Sequence, residues 1–198
     1  PTTAGGRSRH DRLPGFYTVH DGEGDVNGAS TYPGLMSPAR HGASPLTGPV
    51  LLAAFEGWND AGSAASFALA HLEELWDTEQ VDELDPEEYH DFQVNRPQVS
   101  IGPDGSREIA WPSTTISVAT RPDRETVVLV QGIEPSMRWR RYASEVLDAA
   151  ERLGVRTVVT LGALLADVPH TRPIPVTATT DDVELQEALG LDTNTYEG

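Results

Sequence analysis

The chain has 198 residues, 38% of them apolar, and sets 31 Asp and Glu against 14 basic residues for a net charge of -17. Charge of that sign repels nucleic-acid phosphates and anionic lipid head groups, which argues against DNA, RNA or membrane surfaces as partners. Cys and Lys are both absent and every basic residue is Arg, which removes disulfides, thiolate zinc sites, thiol nucleophiles, Schiff-base chemistry and a Walker-type phosphate loop.

Residues 1–48 hold nine Gly and five Pro, with apolar residues only in short patches, the composition of a tail or extension. Within it, Gly15-Phe-Tyr-Thr-Val19 is aromatic and alternating, which suits one short edge strand. The start shows neither a Met nor an apolar h-region, so no secretory signal is read there, and the N-terminus is expected to be processed, trimmed or incomplete. The longest apolar stretches, 50–55 and 126–130, fall far short of the ~20 residues of a spanning helix. A cytoplasmic location is the expectation.

At residue 49 the pattern changes. Pro49-Val-Leu-Leu-Ala-Ala-Phe55 is an uninterrupted apolar run, as expected of a strand buried on both faces of a parallel sheet. A helix capped by Asn59 or Asp60 should follow through to Asp77, because Ala61, Ala64, Ala65, Ala68, Leu69, Leu72, Leu75 and Trp76 recur at three- and four-residue spacing. Residues 73–91 hold ten carboxylates and no Arg. They read as a solvated rim, without the Asp-x-Asp-x-Asp-Gly spacing of a calcium loop. Val99-Ser-Ile101 and Arg107-Glu-Ile-Ala-Trp111 flank Gly102-Pro-Asp-Gly105, a tight-turn sequence, so a hairpin is expected, with Ile116-Ser-Val118 extending the same antiparallel excursion.

Thr126–Gly132 reads as a second buried strand, followed by a helix from Ser136 to Leu153 with Tyr142, Val146, Leu147 and Ala150 inward and Gly154 as its stop. Val155–Gly162 supplies a third strand and Ile174–Thr179 a fourth. A last helix, capped by Asp181 or Asp182, runs to Gly190. Strand and helix alternating in this way imply an α/β domain over 49–198 with a parallel sheet and helices on its faces. The last helix still wants a covering strand, so further sequence is expected beyond Gly198.

Open α/β sheets bind ligands at the carboxyl ends of their strands, and two turns lie there. Phe55-Glu-Gly-Trp-Asn-Asp-Ala-Gly62 offers Glu56, Asn59 and Asp60, with Trp58 beside them. The plainer reading gives Asp60 or Asn59 to the helix cap and Trp58 to the sheet edge. Gly132-Ile-Glu-Pro-Ser-Met-Arg-Trp-Arg-Arg141 crowds Arg138, Arg140 and Arg141 at a helix N-terminus, against the macrodipole, so some anion should compensate them. Glu134 and Glu56 are the internal candidates, and a ligand or partner carboxylate the external one. The plainer reading is an internal Arg to Glu network with Trp139 packed on it. Loops at neighbouring parallel strand ends share one rim, so Arg138 or Arg140 is expected within salt-bridge reach of Glu56, Asp60 or Glu134.

After the third strand, Asp167, His170 and Arg172 converge. A lone loop His is ordinarily a hydrogen-bonded residue, and no G-x-S-x-G elbow or paired metal-ligand spacing accompanies it. The residues therefore point to no catalytic group, no cofactor and no metal.

Phe55-Glu-Gly-Trp-Asn-Asp-Ala-Gly62, Gln131-Gly-Ile-Glu-Pro-Ser-Met-Arg-Trp-Arg140 and Leu161-Gly-Ala-Leu-Leu-Ala-Asp-Val-Pro-His-Thr-Arg-Pro173, in that order, resemble the actinobacterial branch of the proteasome assembly chaperone 2 family, over residues 49–198. The resemblance implies a three-layer α/β/α sandwich with a largely parallel or mixed sheet, similar to purine nucleoside phosphorylase-like folds. It also implies self-association and, from archaeal and eukaryotic relatives, a chaperone role in building the proteasome core, with proteasome subunits as partners. Relatives carry an ATP-grasp label as well, which a chain without Lys or a Gly-rich phosphate loop does not support. Such chaperones can dock through a C-terminal hydrophobic-Tyr-any tripeptide, whereas this chain ends Thr195-Tyr-Glu-Gly198.

The expectation is a non-catalytic protein-interaction or assembly-chaperone-like protein. Its partner or ligand site comprises Glu56, Trp58, Asn59, Asp60, Glu134, Arg138, Trp139, Arg140 and His170. The rival is a small-molecule-binding protein or a hydrolase- or ligase-like enzyme using a pocket between Glu56, Asn59, Asp60 and Arg138. In an enzyme these carboxylates and Arg should line an open concavity; in a chaperone they should pair and close.

Overall fold

A strand that is apolar on both faces must find partners on both edges and helices above and below it, and the middle of this chain is built around that demand. The computed structural model describes residues 16–20, 48–165, 169, 171–172 and 176–191. In chain order the elements are β1 (Phe16–His20), β2 (Val50–Glu56), a 3-10 turn (Ala61–Ser63), α1 (Ala64–Leu75), β3 (Asp77–Leu84), α2 (Pro86–Tyr89), β4 (Gln98–Ile101), β5 (Arg107–Ala110), β6 (Thr114–Thr120), β7 (Thr126–Ile133), α3 (Trp139–Arg152), β8 (Thr157–Leu161), β9 (Thr177–Thr180) and α4 (Val183–Leu189).

Seven strands form one sheet in the order β3-β6-β7-β2-β8-β1-β9, and β4 and β5 form a separate two-stranded ribbon. The three apolar runs are parallel neighbours, with Leu52 opposite Leu129 on one side and Val159 on the other. Strand alternation divides the core in two. Leu51 and Ala53, with Ile116, Val128, Val130 and Val158, meet Tyr142, Val146, Ala149 and Ala150 of α3. Leu52 and Ala54, with Ala119, Val127 and Leu129, meet Ala65, Leu69 and Leu72 of α1. Helix, sheet and helix make three layers, and the sheet is mixed.

Several expectations change. Ile116-Ser-Val118 does not extend the hairpin: β6 joins the main sheet antiparallel to β7, because Ile116 and Ala119 are fully buried on its two faces. The acidic tract is more than a rim. Asp77–Leu84 pairs with β6 as the outermost strand, its carboxylates facing water as edge strands require, and the helix expected to reach Asp77 stops at Leu75. Strand β1 pairs with β8 on one side and with β9 on the other, so it is interior rather than an edge. Strand β9 runs antiparallel to β1; residues 174–175 of the expected fourth strand lie outside the described residues. Helix α3 begins at Trp139 rather than Ser136, after Arg138 in the left-handed conformation (φ 56). Of the two proposed caps of α4, Asp182 holds the position, its carboxylate accepting the Leu185 N–H.

Candidate functional site

Because β7, β2 and β8 are parallel neighbours, the turns at their carboxyl ends share one rim, and backbone bonds stitch those turns together. The Glu134 N–H donates to the Glu56 carbonyl at 2.9 Å, continuing the β2–β7 pairing one step past the strands. The Ala163 N–H donates to the Asn59 carbonyl at 2.9 Å, and the Ala61 N–H to the Ala163 carbonyl at 2.9 Å. The seam is tight: a Cβ added at Gly162 would lie 2.3 Å from the Asn59 amide nitrogen.

Asp60 is buried, and both of its carboxylate oxygens accept hydrogen bonds. One oxygen accepts the Ala65 N–H at 2.8 Å and the Ser66 N–H at 3.3 Å; the other accepts the Ser66 hydroxyl at 2.6 Å. It thus satisfies the orphan donors at the start of α1, although Ser63, in left-handed geometry (φ 57), occupies the cap position itself. The Asn59 side-chain oxygen is buried without a hydrogen-bond partner. Glu56 projects into solvent. Glu134 folds inward, accepting the Trp58 N–H at 3.4 Å and covering Gly57. Gly57 has φ 150, and a Cβ there would meet the carboxylate at 2.7 Å, so this turn requires glycine.

The Arg cluster is compensated, by a residue the sequence reading did not consider. Arg138 pairs with Glu88, Arg141 reaches the same oxygen at 2.8 Å, and Arg141 Nε also pairs with Glu145 at 3.0 Å. Among the described residues, no ion pair joins Arg138 or Arg140 to Glu56, Asp60 or Glu134, which corrects that expectation. The reason is geometric. The Tyr89 carbonyl accepts the Ser136 N–H at 2.8 Å and the Met137 N–H at 3.3 Å, which carries α2, and Glu88 with it, across the start of α3. Asp60 and Glu134 are already engaged elsewhere. The motif's unbalanced charge was the available signal, but nothing local located the anion, some 50 residues upstream.

Behind this cluster the side chains are buried. Tyr89 stacks edge-on against Tyr142 at 5.2 Å. Burial pushes the Tyr89 hydroxyl up to about 12, with the Glu145 carboxylate adding to it. Burial likewise lifts Tyr142 to about 12, partly offset by its 2.8 Å hydrogen bond with Thr114. His90 is buried and held below the usual imidazole range by that burial.

The rim exposes large apolar side chains among its charged ones. Trp58 is 83% exposed and Leu165 91%, and Met137 and Trp139 are exposed beside Arg138 and Arg140. Leu165 and Met137 were not singled out from sequence; an apolar residue in a loop looks the same whether it turns in or out. His170 and Asp167 lie outside the described residues, as do residues 192–198. Among the described residues no cluster of His, Asp and Glu is placed to hold a metal ion, and no helix is long and apolar enough to cross a membrane.

The PAC2 family pattern matches residues 54–198. A PAC2 family protein from Streptomyces avermitilis is 52% identical, with a TM-score of 0.69 over 76% of this chain and 64% of its own. A proteasome-assembly chaperone homologue from Mycobacterium tuberculosis is 48% identical, with a TM-score of 0.66 over 75% of this chain and 64% of its own. A Mycobacterium tuberculosis protein of unknown function is 32% identical, with a TM-score of 0.65 over 83% and 58%. This chain therefore spans less than two thirds of the length of those relatives. No curated protein matches it.

Proposed function

The chain belongs to the PAC2 family, and from that premise we propose that it is a non-catalytic, assembly-chaperone-like protein that binds other proteins through the strand-end rim, proteasome subunits among them. The observation that carries this reading is the division of labour on the rim. Most of its charged groups are engaged rather than free: Asp60 is buried in a helix cap, Glu134 lies on the Trp58 N–H and the half-exposed Arg138 pairs with Glu88, while Glu56 stays in solvent. Its large apolar groups are exposed: Trp58, Leu165, Trp139 and Met137. Trp and Met with an adjacent Arg are the residues that anchor protein interfaces. A small-molecule enzyme would instead need those carboxylates and Arg free around a concavity. The solved structure of the Mycobacterium tuberculosis proteasome-assembly chaperone homologue supports proteasome subunits as the partner class. Self-association and a cytoplasmic location belong to the same reading.

The test mixes the purified chain with purified proteasome core subunits and follows co-elution by size exclusion and the rate of core-particle assembly. Co-elution is expected, and the Trp58→Ala, Trp139→Ala, Leu165→Ala triple variant should lose it while keeping its melting temperature, since all three side chains are exposed. Absence of co-elution, or co-elution unaffected by the triple variant, overturns the reading.

A further inference from the structure

Strand β3 closes the sheet on one side, and among the described residues no strand pairs with its outer edge. In an antiparallel pair alternate residues turn their N–H and C=O away from the partner strand, so β3 presents backbone donors and acceptors to solvent. A bulge between Gln80 and Asp82 divides that edge. Beyond the bulge the Asp82 carboxylate accepts the Glu83 N–H at 2.9 Å, which leaves Asp77–Gln80 as the open stretch. Just past it, between the end of β3 and α3, lies a cavity of about 210 Å³, smaller than the ~300–1,000 Å³ of small-molecule pockets and of a size for one long side chain. Its apolar lining is Leu84, which is buried. Its other walls are Glu83, Asp85, Glu145 and Asp148, and the Arg152 among them is already paired with Asp82 at 2.6 Å. Beside the Glu145 wall the Tyr89 hydroxyl, on a side chain only 1% exposed, is directed at that carboxylate and makes no hydrogen bond.

We propose that this edge and cavity together bind an extended, basic segment of another protein, which adds a strand along Asp77–Gln80 and seats an Arg or Lys side chain in the cavity. The surface is separate from the strand-end turns of the proposed function, and the inference goes beyond that reading. The open edge selects an extended segment, because main-chain hydrogen bonds to a free strand are how such peptides join sheets. Charge selects a basic one. Residues 73–91 hold ten carboxylates and no Arg. The register sets Asp77, Glu79 and Asp82 opposite Thr120, Val118 and Ile116, and Ile116 packs against α3. Those three carboxylates therefore share the α3 face and form a row leading to the cavity. An edge charged in this way turns away strands of like sign, including those of a second copy of this chain at -17, and draws in the opposite sign. The cavity selects a long cationic side chain. Leu84 receives the methylene stem, the carboxylates around it receive the charged head, and a guanidinium set against Glu145 brings N–H donors to the place where the Tyr89 oxygen lacks one.

Fluorescence anisotropy of a labelled octapeptide of alternating Thr and Arg, titrated with the full chain, tests this. Saturable binding is expected, weakening as salt is added, and none for the counterpart of alternating Thr and Glu. Glu79→Arg and Asp148→Arg, both at exposed positions, should each weaken binding at least about tenfold with an unchanged thermal melt. Glu187→Arg makes the same change of charge at an exposed position of α4 and should leave binding unchanged. Methylating alternate backbone nitrogens of the peptide keeps its charge but removes strand donors, and should abolish binding. Absence of saturable binding overturns the proposal. So does a loss from Glu187→Arg equal to that from Asp148→Arg, which reduces the effect to net charge, and so does undiminished binding of the methylated peptide, which removes the added strand. Self-association of the chain that the peptide dissolves puts a second copy on the edge and overturns the basic partner.

Discussion

Two strand-to-helix turns stand side by side on one rim and solve the same problem differently. Both helices follow a non-glycine residue in the left-handed region, Ser63 before α1 and Arg138 before α3, and neither residue caps its helix with its own side chain. At α1 the missing acceptor comes from three residues upstream, where Asp60 is buried and makes three hydrogen bonds. At α3 no carboxylate lies in the first turn. There Glu88, from a different element, answers the Arg side chains, and its pairs are partly exposed. The difference teaches where each turn draws its strength: the first from a dry, local cap that solvent cannot replace, the second from a wet ion network that solvent and salt can.

Breaking the frame beneath both turns should have the largest effect. Val128 lies fully buried in β7 beside β2. Val128→Asp leaves an unpaired carboxylate in the core at several kcal/mol, against a total stability of about 5–15 kcal/mol. The expected outcome is an insoluble or non-cooperatively unfolding chain, by circular dichroism and thermal melting.

Asp60→Ala comes next. It strands buried donors at the start of α1 and should cost about 2–3 kcal/mol, read as a melting temperature lower by about 4–12 °C. A loss no larger than that of Glu88→Gln would erase the contrast between the two turns.

Alkaline titration sharpens the comparison on the α3 side. Tyr89 and Tyr142 stand at about 12 in the folded chain against an ordinary value of 10.0. An acid whose folded pKa is raised binds its proton more tightly when folded. The stability it contributes is therefore complete below pH 10 and is lost as pH climbs from 10 toward 12. Chemical denaturation at stepped pH should show that decline, and Tyr142→Phe should flatten it.

Glu88→Gln should cost at most about 1 kcal/mol, as for other solvent-accessible ion pairs, and added salt should shrink even that. The smallest change, Ser63→Gly, relieves the left-handed strain and should stabilise by about 1 kcal/mol or less, visible as a small rise in melting temperature.

Much of the fold was legible because it is written in local patterns. The apolar runs at 50–55 and 126–130 are short and rich in aliphatic residues, which favours buried strands, and the Gly102–Gly105 turn between two short alternating segments favours a hairpin. Strand β3 was illegible for the opposite reason. Asp77–Leu84 is almost all charged or polar, and only its pairing with β6 makes it a strand. The site was half legible. Asp60 as a cap follows from its position before a helix, whereas the pairing of Arg138 with Glu88 depends on how α2 crosses α3, held by the Tyr89 carbonyl.

The sequence by itself determined the family motifs, the parallel core, the acidic surface and the absence of Lys and Cys chemistry, because each is a matter of residue type and short-range period. Only the tertiary structure decided which charges meet, which tryptophans stay in water and which edge of the sheet is left open. Those outcomes depend on segments tens of residues apart being brought together, and side chains select partners by distance and solvent exposure, neither of which a linear pattern records.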